Sequence, residues 1–206
     1  MKVLLINGSP HKEGCTYTAL KEISKTLKEE GIDSEIYQIN TNVEACRACY
    51  ACRKIGHCVI NDSVNDFVEY AKDFDGYIIG SPVHYASASG AITVFLDRVF
   101  FSAPKGTFTH KPGTSIVSAR RAGTTATLDQ LNKYFTINQM PIISGRYWNM
   151  VHGATPEQVL EDKEGMQNMR IVARNMSWHL KCKEAGEKAG IPMPKTEEVV
   201  MTNFIR

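Results

Sequence analysis

Four cysteines lie close together in the sequence and offer the side chains that metal or redox chemistry needs: Cys46, Cys49, Cys52 and Cys58. Their C-x2-C-x2-C-x5-C spacing allows four thiolates to converge on one centre, and it is related to the tight run that holds bacterial-type [4Fe–4S] clusters. Structural zinc more usually takes two C-x2-C pairs separated by a dozen or more residues. Three chemistries stay open on spacing alone: a [4Fe–4S] cluster, structural or redox-active thiols, and zinc.

A second candidate site is the loop that follows the first apolar run of the chain. Residues 7–16 read Asn-Gly-Ser-Pro-His-Lys-Glu-Gly-Cys-Thr and lead into a predicted helix. The loop matches neither G-x-G-x-x-G nor G-x-x-x-x-G-K-[ST], which disfavours a dinucleotide fold and a P-loop nucleotide hydrolase. Backbone N–H groups and the helix dipole make it a suitable seat for one phosphate group. The alternative interpretation is a plain turn with a threonine N-cap.

The elements that position these residues follow from the alternation of apolar runs and amphipathic stripes. Strands are predicted near residues 3–6, 34–39, 76–80, 114–118 and 141–144, and helices near residues 16–30, 64–71, 89–101, 125–138 and 156–188. Short connections between them predict an α/β fold, a doubly wound five-stranded parallel sheet with helices on both faces. One domain is expected over residues 1–190, with a cysteine-rich insertion at 44–60 and a tail at 191–206 that runs over the surface or onto a neighbouring subunit.

Composition narrows the class of protein further. The 206 residues carry 24 Lys and Arg against 22 Asp and Glu, a net charge of +2, with no long run of either sign. This balance argues against nucleic acid or an acidic membrane surface as a partner. No apolar stretch approaches the roughly 20 residues of a membrane span. The apolar run near the start of the sequence is only four residues long and no small-residue cleavage site follows it, so we expect the protein in the cytoplasm.

Several separate motifs together resemble one known family, the NAD(P)H-dependent FMN reductase branch of the flavodoxin-like superfamily. They are Asn7-Gly8-Ser9-Pro10 with Gly14-Cys15-Thr16, then Gly80-Ser81-Pro82-Val83-His84-Tyr85, and then Leu96-Asp97-Arg98. The four cysteines and Asp62 add a resemblance to the iron–sulfur flavoprotein members. The likeness runs from the first strand to about Gly153, roughly three quarters of the chain.

The resemblance implies an FMN cofactor held by three loops. The FMN phosphate falls to Ser9, His11, Thr16 and the backbone to Tyr17 and Thr18. An apolar floor and backbone donors for the flavin ring fall to Pro82, Val83, His84 and Tyr85. The pyrimidine side of the ring falls to Ser118, Ala119, Arg120 and Gly123. Arg120 is assigned to stabilise the negative charge that accumulates near flavin N1 on reduction.

The activity implied by the resemblance is that of an FMN-dependent oxidoreductase. It takes electrons from NAD(P)H, or from ferredoxin where a [4Fe–4S] cluster is present on the four cysteines. It passes them through the flavin to a small acceptor such as a quinone, an azo compound or a free flavin. No side chain is assigned as catalytic. The alternatives are an iron–sulfur flavoprotein that carries electrons between ferredoxin and an acceptor without a substrate site of its own, and a redox-sensing regulator.

Relatives of this kind assemble into oligomers, so the resemblance also implies a homodimer or homotetramer. Trp148, placed after the predicted fifth strand, is a candidate residue to line the flavin site across such an assembly, and a core tryptophan is the alternative.

Overall fold

The computed structural model describes residues 1–195, 197–202 and 204. In that part of the chain, strands and helices alternate as the sequence predicts. The elements, in chain order, are β1 (Lys2–Asn7), α1 (Cys15–Glu29), β2 (Asp33–Gln38), α2 (Cys52–Ile55), α3 (Ser63–Ala71), β3 (Gly76–His84), β4 (Ser87–Ala88), α4 (Gly90–Ser102), β5 (Gly113–Ala119), α5 (Thr124–Ile137), β6 (Met150–His152), α6 (Pro156–Glu161) and α7 (Lys163–Lys188).

Five parallel strands form the sheet in the order β2-β1-β3-β5-β6. Residues 3–7 of β1 are buried, because this strand has a parallel neighbour on each side and helices over each face. The short β4 pairs with the end of β3 in the antiparallel sense. This arrangement confirms the predicted α/β class and the doubly wound parallel sheet.

Two apolar layers hold the helices to the sheet. Alternate residues of β1 point to opposite faces, so Leu4 and Ile6 pack with α3, α4 and α5, whereas Val3 and Leu5 pack with α1 and α7. Within the described residues, the search for a helix long and apolar enough to cross a membrane finds none. Because the five strands are parallel and helices cover both faces, all the carboxyl ends of the strands lie at one edge of the sheet.

The prediction of a fifth strand at residues 141–144 was wrong. Only a single bridge, between Ile142 and Gly113, joins that run to the start of β5. The fifth strand of the sheet is β6, which pairs with residues 117–119 at the far end of β5. Between the two stretches, the Asn168 side chain of α7 accepts hydrogen bonds from the backbone N–H groups of Arg146 and Tyr147, so the chain leaves the sheet edge and returns. Trp148 consequently precedes the fifth strand and does not follow it.

Two further boundaries differ from the prediction. The helix predicted over residues 156–188 is divided at Asp162, whose carboxylate accepts from the backbone N–H of Gly165 at 2.9 Å and so caps α7. Strand β3 was predicted to end at Gly80, but it continues to His84 and then turns back into β4. The cause is that residues 83 and 84 find partners in Ala88 and Ser87.

A tight contact between β5 and α5 yields a stability prediction. A Cβ on Gly113 would lie 2.4 Å from Cδ1 of the fully buried Phe135, so Gly113→Ala is expected to lower the free energy of unfolding by about 1–3 kcal/mol. Gly90→Ala is the matched control, because a Cβ there meets no described atom within 4 Å. Urea denaturation measures both variants. Equal stability of the two would contradict the packing described here.

Candidate functional site

Three loops at the carboxyl ends of β1, β3 and β5 are bonded to one another. The backbone N–H of Gly8 donates to the carbonyl of Gly80 at 2.8 Å, and the Ser89 hydroxyl donates to the carbonyl of Gly8 at 2.8 Å. The hydroxyls of Thr16 and Ser118 are 2.8 Å apart and share a hydrogen bond. The loop after β1 is therefore fixed against both of its neighbours.

The loops after β3 and β5 also touch, at a place that requires glycine. Tyr85 and Ala86 form the turn between β3 and β4 with positive φ values of 52° and 57°. Gly123 has a φ of 94°, and a Cβ on it would lie 2.8 Å from Cα of Ala86 and 2.9 Å from Cγ1 of Val83. Only glycine combines that backbone conformation with such a close approach.

Asn7 and Gln38 determine the shape of the first loop. The buried Asn7 side chain donates to Oε1 of Gln38 at 2.7 Å and to the carbonyl of Lys12 at 3.2 Å, and it accepts from the Ser9 N–H at 3.2 Å. Gln38 in turn donates to the Ser9 carbonyl at 2.8 Å. Gln38 is not among the residues predicted for the site. The signal that could have revealed it is an amide side chain at the end of each of two neighbouring strands.

The predicted flavin residues fall into three groups by exposure. Ser9, Thr16 and Ser118 are buried, and each hydroxyl already takes part in a hydrogen bond within the protein. The half-buried group lines the loop surfaces and comprises Tyr17, Thr18, Pro82, Val83, Ala119 and Gly123. The exposed group comprises His11, His84, Tyr85 and Arg120. The buried hydroxyls hold the loops together, and the other two groups are partly or fully accessible to solvent.

The four clustered cysteines surround one small cavity of about 20 Å³. Its other lining residues are Arg47, Tyr50, Val59, Ile60, Arg98, Phe101 and Ser102. All six cysteines of the chain are free thiols. As the side chains lie, no three His, Cys, Asp or Glu residues of the described chain are close enough together to hold a metal ion. Burial, and then the neighbouring Cys58, raises the pKa of the Cys52 thiol.

Packing and hydrogen bonds hold the cysteine segment (residues 44–60) in this arrangement. Asn65 of α3 accepts from the backbone N–H of Cys58 at 3.0 Å and donates to its carbonyl at 2.9 Å. Tyr50 packs edge-on against Phe101 of α4 with 5.8 Å between ring centroids, and the Arg53 guanidinium lies 4.7 Å from the centre of the Tyr50 ring. The segment is thus anchored to two helices on either side of the thiols.

Two polar atoms in the wall of this cavity are buried without a partner. Nε of Arg98 and Oγ of Ser102 find no hydrogen-bond acceptor or donor among the residues that the structure describes. Buried polar groups are normally satisfied, so unpaired ones in a cavity wall are candidates to bind a further group. Four cysteine side chains beside unpaired polar atoms are a donor set that an iron–sulfur cluster would use, since its irons take thiolates and its inorganic sulfides accept hydrogen bonds.

Comparison with known proteins agrees with this geometry. Residues 1–155 match the family model described as NADPH-dependent FMN reductase. The chain belongs to this family. Membership makes it a flavin-dependent oxidoreductase that binds FMN, and it confirms the resemblance seen in the sequence motifs.

Several relatives are named as iron–sulfur flavoproteins. One from Methanocaldococcus jannaschii is 27% identical over 185 residues, which cover 86% of this chain and 96% of the relative. Another, from Methanosarcina thermophila, is 26% identical over 180 residues, covering 85% and 93%. A shorter match to an iron–sulfur flavoprotein of Clostridioides difficile reaches 36% identity over 105 residues, covering 48% of this chain and 45% of that protein.

Solved structures confirm the flavodoxin-like fold. RosB, in a complex with 8-demethyl-8-formylriboflavin-5'-phosphate, superposes with a TM-score of 0.69 at 13% identity, covering 100% of this chain and 92% of RosB. A flavodoxin from the domain Archaea superposes with a TM-score of 0.60 at 13% identity, covering 88% of this chain and 99% of the flavodoxin. At these identities the likeness establishes the fold alone.

The hydrogen bonds of Asn7 predict that a substitution at this position weakens FMN binding even without a direct contact to the cofactor. Asn7→Ala removes the hydrogen bonds that shape the first loop, so FMN affinity of the apoprotein is expected to fall about tenfold or more, equivalent to at least about 1.4 kcal/mol. Quenching of FMN fluorescence measures the affinity, with circular dichroism to show that the variant is folded. Asn40→Ala, at an exposed asparagine, is the control. Equal affinities of the two variants would disprove the role of Asn7.

Proposed function

We propose that this protein transfers electrons from NAD(P)H, or from ferredoxin, through FMN to a small acceptor such as a quinone, an azo compound or a free flavin. The observation that carries the proposal is the mutual bonding of the three strand-end loops, which creates one preformed site at the sheet edge. Flavodoxin-like sheets bind their ligand at this edge. A [4Fe–4S] cluster on the four clustered cysteines belongs to the proposal as a second cofactor.

The first loop and the start of α1 hold the FMN phosphate in this proposal. Gly14 is the N-cap residue of α1 and has no side chain that could accept from the first N–H groups of the helix. Those donors, together with the positive end of the helix dipole, favour an anion. His11 adds an exposed imidazole and Tyr17 adds a backbone N–H, whereas the backbone N–H of Thr18 already donates to the carbonyl of Gly14 at 3.0 Å.

The other two loops hold the flavin ring. Pro82, Val83 and Tyr85 supply an apolar surface for a flat aromatic ring, and the backbone of the same turn supplies donors. Arg120, exposed after β5, places a positive charge where reduction makes the ring more negative. When bound, FMN accepts a hydride or single electrons and passes electrons on.

Two observations support a [4Fe–4S] cluster over zinc or free thiols. The relatives that match most of this chain are named iron–sulfur flavoproteins, and the thiol cavity contains unpaired polar atoms next to Cys46, Cys49, Cys52 and Cys58. The cysteine spacing also lacks the two well-separated C-x2-C pairs that are usual for structural zinc. We assign the four cysteines as the ligands.

A second candidate function is electron carriage between ferredoxin and an acceptor, without a substrate site. It is favoured by the exposure of Cys46 and Cys49, which brings the proposed cluster to the surface where a protein donor can reach it. We also propose a homodimer or homotetramer. Tyr147 and Trp148 support it, because these two exposed aromatic side chains pack edge to face with 4.5 Å between ring centroids and offer a contact surface.

Cofactor analysis tests the cluster directly. Protein purified without oxygen is expected to contain about four iron atoms, about four sulfides and one FMN per chain. Cys49→Ser is expected to lose the iron and keep the FMN, whereas Cys182→Ser, at an exposed cysteine of α7, is expected to keep both. Wild-type protein that binds FMN but takes up no iron even after anaerobic reconstitution would refute the cluster.

Electron-donor assays separate the two candidate functions. We expect NADH or NADPH to bleach the bound flavin under anaerobic conditions and to sustain turnover with a quinone or an azo compound. The reason is that several of the loop residues proposed to line the ring are exposed, so that small substrates can reach it. Apoprotein without FMN is the control and is expected to be inactive. Reduction by ferredoxin alone, with no steady turnover on either nicotinamide cofactor, would favour the carrier.

A further inference from the structure

Arg98 is a charged residue at an unusual position. Its side chain is fully buried on α4, a helix that is otherwise largely apolar along its length. A buried guanidinium is costly unless its donors are paired, so its partners indicate what the residue is for. The activity described above does not use it.

All the partners of Arg98 lie in or next to the cysteine segment. Nη1 donates to the Asp62 carboxylate and, at 3.2 Å, to the carbonyl of Glu44. Nη2 donates at 3.2 Å to the carbonyl of Ile60 and at 3.2 Å to Sγ of Cys58. One side chain therefore joins the two ends of the segment and contacts a thiol directly.

The ion pair with Asp62 keeps this charge in place. Burial is the largest single effect and disfavours the ionised carboxylate, but the hydrogen bond and charge of Arg98, together with backbone N–H groups such as that of Val64, outweigh it and hold the pKa of Asp62 below its ordinary value. Asp62 is fixed from the other side as well, because it caps α3 by accepting from the backbone N–H of Val64 at 3.1 Å. Arg98 is thus a rigid, permanently charged donor.

We infer that Arg98 positions Cys58 for the proposed cluster and raises the reduction potential of that cluster. The inference rests on the proposed function, because it requires that Cys58 be a ligand. Reduction adds one electron, and a positive charge hydrogen-bonded to a ligand sulfur stabilises the more negative form. The unpaired Nε, buried in the same cavity wall, offers one more donor to an inorganic sulfide.

Two variants shift the charge beside Cys58 in opposite directions. Arg98→Gln removes the cation, and Asp62→Asn removes the anion while keeping a side chain suited to the N-cap of α3. Arg47→Gln is the control, because it removes the same charge from a side chain of the cysteine segment that is 64% exposed. Each protein is prepared without oxygen, its iron and FMN contents are measured, and its cluster is titrated with dithionite and mediators while absorption and electron paramagnetic resonance are recorded.

The expected result is a lower cluster potential in Arg98→Gln, a higher one in Asp62→Asn, and a smaller shift in Arg47→Gln. A purely structural role for Arg98 would move both variants alike or change iron content only. If Arg98→Gln and Asp62→Asn contain iron but their cluster potentials shift no more than that of Arg47→Gln, the inference is overturned.

Loss of iron from a variant, or its absence from the wild-type protein, also has a definite consequence for the inference. Should Arg98→Gln lose its iron, the potential of Asp62→Asn decides: a higher value supports the inference and an unchanged value overturns it. Wild-type protein with FMN but without iron overturns the proposed cluster, and the role of Arg98 falls with it, whereas unmoved potentials in iron-loaded protein overturn only the role of Arg98.

Discussion

The parallel pairing of β1 with both β2 and β3 is the constraint on which the rest of the structure depends. A chain that leaves a parallel strand must cross back over the sheet before it can start the next one, which places a helix after each strand and directs every carboxyl end to the same edge. The loops proposed to hold FMN lie at that edge for this reason. The close contact of Gly8 with the carbonyl of Gly80 then lets two of them meet without a side chain between them.

Strong local patterns made most of the fold predictable, and the failures occurred where long-range hydrogen bonds decide. The buried runs at residues 3–6 and 76–80 and the stripes of α1 and α4 are visible in the sequence alone. The run at residues 141–144 is as apolar as a strand, yet only part of it reaches β5, because Asn168 binds the next residues to α7. In β6 only Val151 is buried, so the true edge strand has almost no hydrophobic signal.

The candidate site likewise has a part that the sequence predicts and a part that depends on long-range hydrogen bonds. The motif loops and the cysteine spacing could be recognised because their residues are close in sequence. Asn7 with Gln38, and Arg98 with Asp62, are partners 31 and 36 residues apart, and periodicity carries no information on such pairs. Arg98 nevertheless left a signal, since a lone cation within the mostly apolar α4 needs a buried acceptor somewhere else in the chain.

Helix α4 connects the loops proposed to hold FMN to the cysteine segment. At its N-terminus Ser89 donates to the carbonyl of Gly8 in the first loop, and Arg98 further along holds Cys58. At 1.5 Å per residue the two anchor points are about 14 Å apart along the helix axis. Inserting or deleting one residue between them would rotate Arg98 by about 100° and withdraw it from the segment. The relative placement of the first loop and the cysteine segment is therefore built into the length of one rigid element.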